Sequence, residues 1–379
     1  MLDLKTLTES VQKNCHISDA QYAGHYTLCV FLLKMREYYR WEKAIPQSQP
    51  LPKEAVGDWL TQRENEWDKL ESLPLSSIHI GDESFEPFES EAINQHLNPL
   101  GYVYSGGIGV FHKPYFFLGK LEKKETQHGI TLLVSSDEYA RDLVAPPAML
   151  QGNTVFIRKQ CLRRAIWERI EEWLMKKPSE SPVARTLACY SLQNGADLMA
   201  DTPSHFTTGA AVSIDTLSID DLSLDKNMES MLDQITDNEL ESVYLHEIGE
   251  ARAQQLLGPQ WEVLLSELPR SKAEWIVRAV RDHLADSLST LPSLLETNNE
   301  ASLHFYFANF TGMRRELFPE AVLAYQSWIE SGNLTSLKDI VQRGQQRWHS
   351  LAQQILALHE TNNDSLTSAI EALCLSDID

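Results

Sequence analysis

Between residues 76 and 135 the chain stops reading as helix, and this interruption constrains the fold more than any other feature. "YVYSGGIGVF", "PYFFLGKLEK" and "GITLLVSS" are short aromatic and β-branched runs separated by glycine and proline. Runs of that kind pair as antiparallel strands, and "TVFIRK", 154–159, reads as one more. On both sides apolar residues recur every three or four positions, the mark of amphipathic helices. The spacing predicts helices over 19–43 and 53–72, parted by the proline-rich "AIPQSQPLP", and then over 160–177, 182–199, 237–257, 271–290, 300–313, 319–331 and 335–360. The expected fold is therefore mainly α, a multi-helix core with a small antiparallel β insertion, with α+β as the alternative. The implied divisions are N-terminal helices at 1–75, a β-rich region at 76–159 and a C-terminal helical region at 160–379 that packs with the N-terminal helix.

Composition narrows the partners. The chain has 379 residues with 54 acids against 33 bases, a formal charge of −21. Such a surface is repelled by phosphate backbones and anionic bilayers, which argues against nucleic acid and membranes. No apolar stretch reaches the roughly 18 residues that span a bilayer. The five cysteines form no C-x-x-C pair, which argues against a disulfide framework or a cysteine-built zinc site. With no secretory signal in "MLDLKTLTES", the expected location is cytoplasmic. Residues 200–236 are rich in Ser, Thr and Asp and read as an acidic surface segment, a candidate contact for a basic protein partner.

Two segments, "CHISDAQYAGHYTLCVFLLKMREYYRWEK" at 15–43 and "ARDLVAPPAMLQGNTVFIRK" at 140–159, resemble an uncharacterised bacterial protein family. The resemblance covers most of the chain. That family has no assigned activity, so it implies a bacterial cytosolic protein and transfers no catalytic residue.

The chemistry-bearing candidate is "YLHEIGEARA", 244–253. It opens like the zinc-protease signature H-E-x-x-H, but position 250 is glutamate. His246 and Glu250 stand one turn apart on one helical face, with Glu247 beside them. In "RDHLAD", His283 falls within an apolar arc of Trp275, Ile276, Ala279, Val280 and Leu284, with Asp282 and Asp286 flanking it. In the 19–43 helix, Glu37 falls inside a stripe of Tyr22, Tyr26, Cys29, Val30, Leu33 and Trp41. A carboxylate facing a core is costly unless paired, protonated or metal-bound; for Glu37 a buried pair with Arg40 is the plainer explanation.

Helical bundles build metal sites from such side chains on facing helices. The candidate ligands are Glu37, His246, Glu250, His283 and Asp286, with Glu247 as a ligand or general base. This oxygen-rich set suits iron or manganese better than zinc. His16 and His304 are further candidates. Arg314 and Arg315 read as partners of acids in preference to an anion site. Two functions follow: a metal-dependent oxidase or hydrolase acting on a small molecule, or a non-catalytic acidic scaffold. "SGGIGVF", 105–111, does not match G-x-G-x-x-G, so it reads as a turn or bulge.

Overall fold

A computed structural model describes residues 2–109, 112–127, 129–176, 181–193, 226–361 and 365–375. The chain is mainly helical with a small β part, and it divides into two compact units. The first comprises 1–168 with 217–236, and the second 169–216 with 237–379.

In the first unit α1 runs over Leu4–Tyr22, α2 over Leu28–Glu42, α3 over Lys53–Trp67 and α4 over Ser90–Leu97. Asp3 caps α1 by accepting from the backbone N–H of Lys5 and Thr6. Leu7, Val11 and Cys15, spaced one turn apart, bury that helix against Tyr104, Phe116, Leu118 and Ala140 of the sheet. The expected 19–43 helix is thus corrected. After α1 the backbone tightens into a 3-10 turn at Ala23–His25 and is extended at Tyr26 and Thr27 before α2 begins at Leu28. The stripe drawn for it also fails: Val30 and Leu33 are 42% and 56% exposed, while Met35, Tyr38 and Tyr39 go inward. The break at 23–27 resets the helical phase, so one wheel cannot be carried across it.

Strands β1 (Ile78–Ile80) and β2 (Glu83–Phe85) form a hairpin. A second sheet has the order β3 (Tyr102–Ile108), β4 (Pro114–Gln127), β5 (Ile130–Arg141), β7 (Thr154–Arg158), β6 (Ala148–Gln151). All its pairings are antiparallel except β5 with β7, where Thr131 to Ser135 run beside Thr154 to Arg158. The tight turn at Gly152, whose φ of +58° suits glycine, folds β6 back on the outer side of β7. Gly106 in β3 serves a close approach: a Cβ there would lie 2.1 Å from the Pro87 carbonyl oxygen.

Helix α5 covers Lys159–Lys176 and α6 Pro182–Gln193. Helix α7, Lys226–Leu257, begins earlier than the spacing suggested, with Met228, Met231, Leu232 and Ile235 buried along its first turns. Of the expected acidic segment, 200–225 lies outside the described residues and the remainder is this helix.

The second unit continues with α8 (Gln260–Glu267), α9 (Lys272–Ala285), a π-helical turn over Asp286–Thr290, α10 (Leu291–Glu296), α11 (Glu300–Ala308), α12 (Gly312–Leu317), α13 (Pro319–Ser331), α14 (Thr335–Glu360) and α15 (Leu366–Leu375). Trp261, Ile276, Val280, Leu284, Leu303, Trp348 and Ile355 fill its core. Trp275, placed in the inward arc by spacing, instead points out at 60% exposure. The arc is narrower than drawn, centred on Ile276, Val280 and His283.

Candidate acid–base site

Helices α7 and α9 cross at Gly249. A Cβ there would lie 2.3 Å from the Ala285 carbonyl oxygen, so only hydrogen fits. That close approach sets His246, one turn before Gly249, against Asp286, the first residue of the π turn. π turns are rare and recur at functional sites. His246 Nδ1 lies 2.8 Å from Asp286 Oδ1. Asp286 Oδ2 accepts from the Tyr306 hydroxyl at 2.9 Å and from the Arg314 guanidinium. Arg314 also donates to the Tyr306 oxygen at 3.1 Å. On the other edge, His246 Nε2 is 3.6 Å from Glu250 Oε1, which accepts from Arg281 at 3.0 Å.

The charges fix the protonation states. Burial would raise the Asp286 carboxyl, but Arg314 and His246 offset it and hold the group well below the usual carboxylate range. Burial would lower His246; Asp286 and Glu250 overcome that, so the ring is an imidazolium at neutral pH. Glu250, despite burial, is drawn down by His246 and Arg281.

Glu247 differs from its neighbours. It is 7% exposed and makes no hydrogen bond or ion pair to another described residue. Burial and then the Glu250 charge push its carboxyl up to about 7. Glu239 is also raised to about 7 by burial, but its carboxyl accepts from Ser302 at 2.7 Å and Asn238 at 3.3 Å. Only Glu247 of these two has its carboxyl uncommitted.

The other sequence-chosen residues are placed differently. His283 is buried, stacked on Trp348 at 4.5 Å, with Nε2 2.9 Å from the Arg314 carbonyl oxygen. Burial and Arg314 lower it to about 3, so it is neutral and donates through Nε2. His304 pairs with the Tyr325 hydroxyl at 2.9 Å and stacks on Trp328. Glu37 belongs to the first unit, buried and paired with Arg36 at 2.9 Å and Arg40 at 3.7 Å. Among the described residues, no group of three or more His, Cys, Asp or Glu side chains is arranged to hold a metal ion. In the second unit His246, Glu250, His283 and Asp286 each meet a hydrogen-bonding or ionic protein partner.

Spacing singled out neither Tyr306 nor Arg281, and it treated Arg314 only as a generic partner for acids. Position along one helix carries no sign of a partner on another. In the first unit a cleft of about 490 Å³ is lined by Gln12, His16, Tyr38, Trp41, Glu42 and Arg63, with Glu138 and Tyr139. There His16 Nδ1 accepts from Trp67 Nε1 at 3.1 Å. Burial and Arg63 lower that ring to about 3.

Two family models match the chain. Residues 6–158 match the N-terminal domain, and residues 163–377 the C-terminal domain, of a family of unknown function, DUF6866. The chain belongs to the DUF6866 family. The candidate site lies wholly within the part that matches the DUF6866 C-terminal domain, and the cleft around His16 within the part that matches the N-terminal one. No curated protein and no solved structure matches the chain. No described helix is long and apolar enough to cross a membrane.

Proposed function

We propose that the second unit is an acid–base enzyme acting on a small polar molecule, with Glu247 as the group that gives and takes the proton. The observation that carries this reading is Glu247 itself: a side chain only 7% exposed, with no hydrogen bond or ion pair to another described residue, and a carboxyl raised to about 7. A general acid or base works best when it titrates near the working pH. Paired groups pushed to opposite protonation behaviour mark the division of roles. Asp286 fixes the His246 ring through Nδ1. That leaves the Nε2–H edge, beside Glu250, on a side chain that is 29% exposed. A substrate oxygen taking a hydrogen bond from that edge would be polarised by the imidazolium while Glu247 exchanges a proton with it. An acidic scaffold has no use for a largely buried, unpaired glutamate, which costs stability when ionised.

The test is a metabolite mixture incubated in D₂O with wild type and with Glu247→Gln, followed by NMR. Wild type should incorporate deuterium into, or convert, at least one compound, and Glu247→Gln should lose that activity. Equal activity of the two proteins would overturn the assignment, as would no activity from either.

A further inference from the structure

We propose that a cavity of about 430 Å³ between α6, α11, α12 and α13 binds a singly charged organic anion with a flat aromatic body, an aromatic carboxylate being the class that fits. This is the size range of small-molecule sites. Its floor is Phe307, Phe310 and Tyr325, all at least nine-tenths buried. Phe307 and Tyr325 stack at 4.2 Å between centroids with 28° between their planes, so the floor is preformed.

Arg185 and Arg315 also line the cavity, half-buried and exposed respectively. Neither side chain has a hydrogen bond or ion pair to a described residue. That is notable in a chain with 54 acids for 33 bases, where a free arginine has many carboxylates to choose from. Arg314, next in sequence, does take one, Asp286. Among the described residues Glu330 is the one acid on the lining, so the described lining carries +2 from the arginines and −1 from Glu330, a net +1. That balance suits a monoanion better than a phosphate dianion. Guanidinium groups bind carboxylates through paired N–H donors and also stack on aromatic faces. A flat acid on the Phe307–Tyr325 floor would use both. The influence of Arg185 already reaches that floor: after burial, its charge is the cause that lowers His304, hydrogen-bonded to Tyr325, to about 4.

Isothermal titration of the full chain with 1-naphthoate, and with 1-naphthalenemethanol as the neutral counterpart, tests the site. Wild type should bind the anion at least about 10-fold more tightly than the alcohol. Arg185→Met and Arg315→Met should each weaken the anion by about 10-fold or more, as expected for losing a charge-assisted hydrogen bond, and leave the alcohol unchanged. Val322→Trp, which fills the cavity from α13, should abolish both. Equal affinity for the two probes, anion binding indifferent to both arginine substitutions, or no binding of 1-naphthoate would overturn the proposal.

Discussion

Replacing Glu247 by glutamine should make the protein more stable at alkaline pH, the reverse of what removing a buried polar contact does. Glutamine keeps the shape and takes away only the ability to ionise. The carboxyl titrates at about 7 in the folded chain against an ordinary 4.5. A folded-state value raised above the unfolded one contributes stability that is fully present below pH 4.5 and lost as pH rises through 7. At about 1.36 kcal/mol per pH unit, the loss to wild type across that window is about 3 kcal/mol. The variant has no such loss. Guanidinium unfolding at pH 4.5 and pH 8 measures it: the two proteins should be close at pH 4.5, with Glu247→Gln ahead by about 2–3 kcal/mol at pH 8. A variant less stable than wild type at pH 8 would refute the reasoning, because it would mean that ionised Glu247 has a favourable partner. Gain of stability on removing a working residue is the usual sign of a site that trades stability for function.

Asp286→Asn strips the imidazolium and Arg314 of their shared counter-charge, and should cost about 3–5 kcal/mol in urea unfolding near neutral pH. His283 is lowered to about 3 from 6.5 by burial and Arg314. Its contribution is therefore present above pH 6.5 and lost as pH falls toward 3, and His283→Phe should flatten the acid side of the melting profile. Gly249→Ala would ordinarily favour a helix by about 1 kcal/mol; here the contact with the Ala285 carbonyl oxygen should make it destabilising by about 1–3 kcal/mol, measured by thermal unfolding.

Much of the architecture was legible from periodicity. The glycine-punctuated run after residue 100 became strands. Helices α13 and α14 occupy their expected ranges and α9 and α11 begin at theirs, whereas the 300–313 helix breaks after Ala308 and α8, α10, α12 and α15 had no counterpart in the spacing. What spacing missed has definite causes. The phase reset after Tyr22 split one expected helix into two and turned Val30 and Leu33 outward. The polar composition around 226–236 hid an apolar series, Met228, Met231, Leu232 and Ile235, that was there to be read. The parallel pairing of β5 with β7 depends on how β6 turns back, which no local pattern encodes. At the candidate site, the helical spacing of His246, Glu247 and Glu250 was visible. Tyr306 and Arg314 were not, because their closeness to Asp286 is set by helix packing. The difference between Glu247 and Glu239 was equally out of reach: it lies in whether a second helix supplies a donor such as Ser302.

The most direct test of the central claim is to watch Glu247 titrate. With [δ-¹³C]glutamate incorporated, carboxyl carbons are followed by NMR from pH 4 to pH 9 in wild type and Glu247→Gln. Among the described glutamates, Glu239 and Glu247 should both titrate near pH 7, and the Glu247 resonance should vanish in Glu247→Gln. If the resonance lost on substitution titrates near 4.5, Glu247 is an ordinary surface-like carboxylate at neutral pH and the acid–base assignment falls.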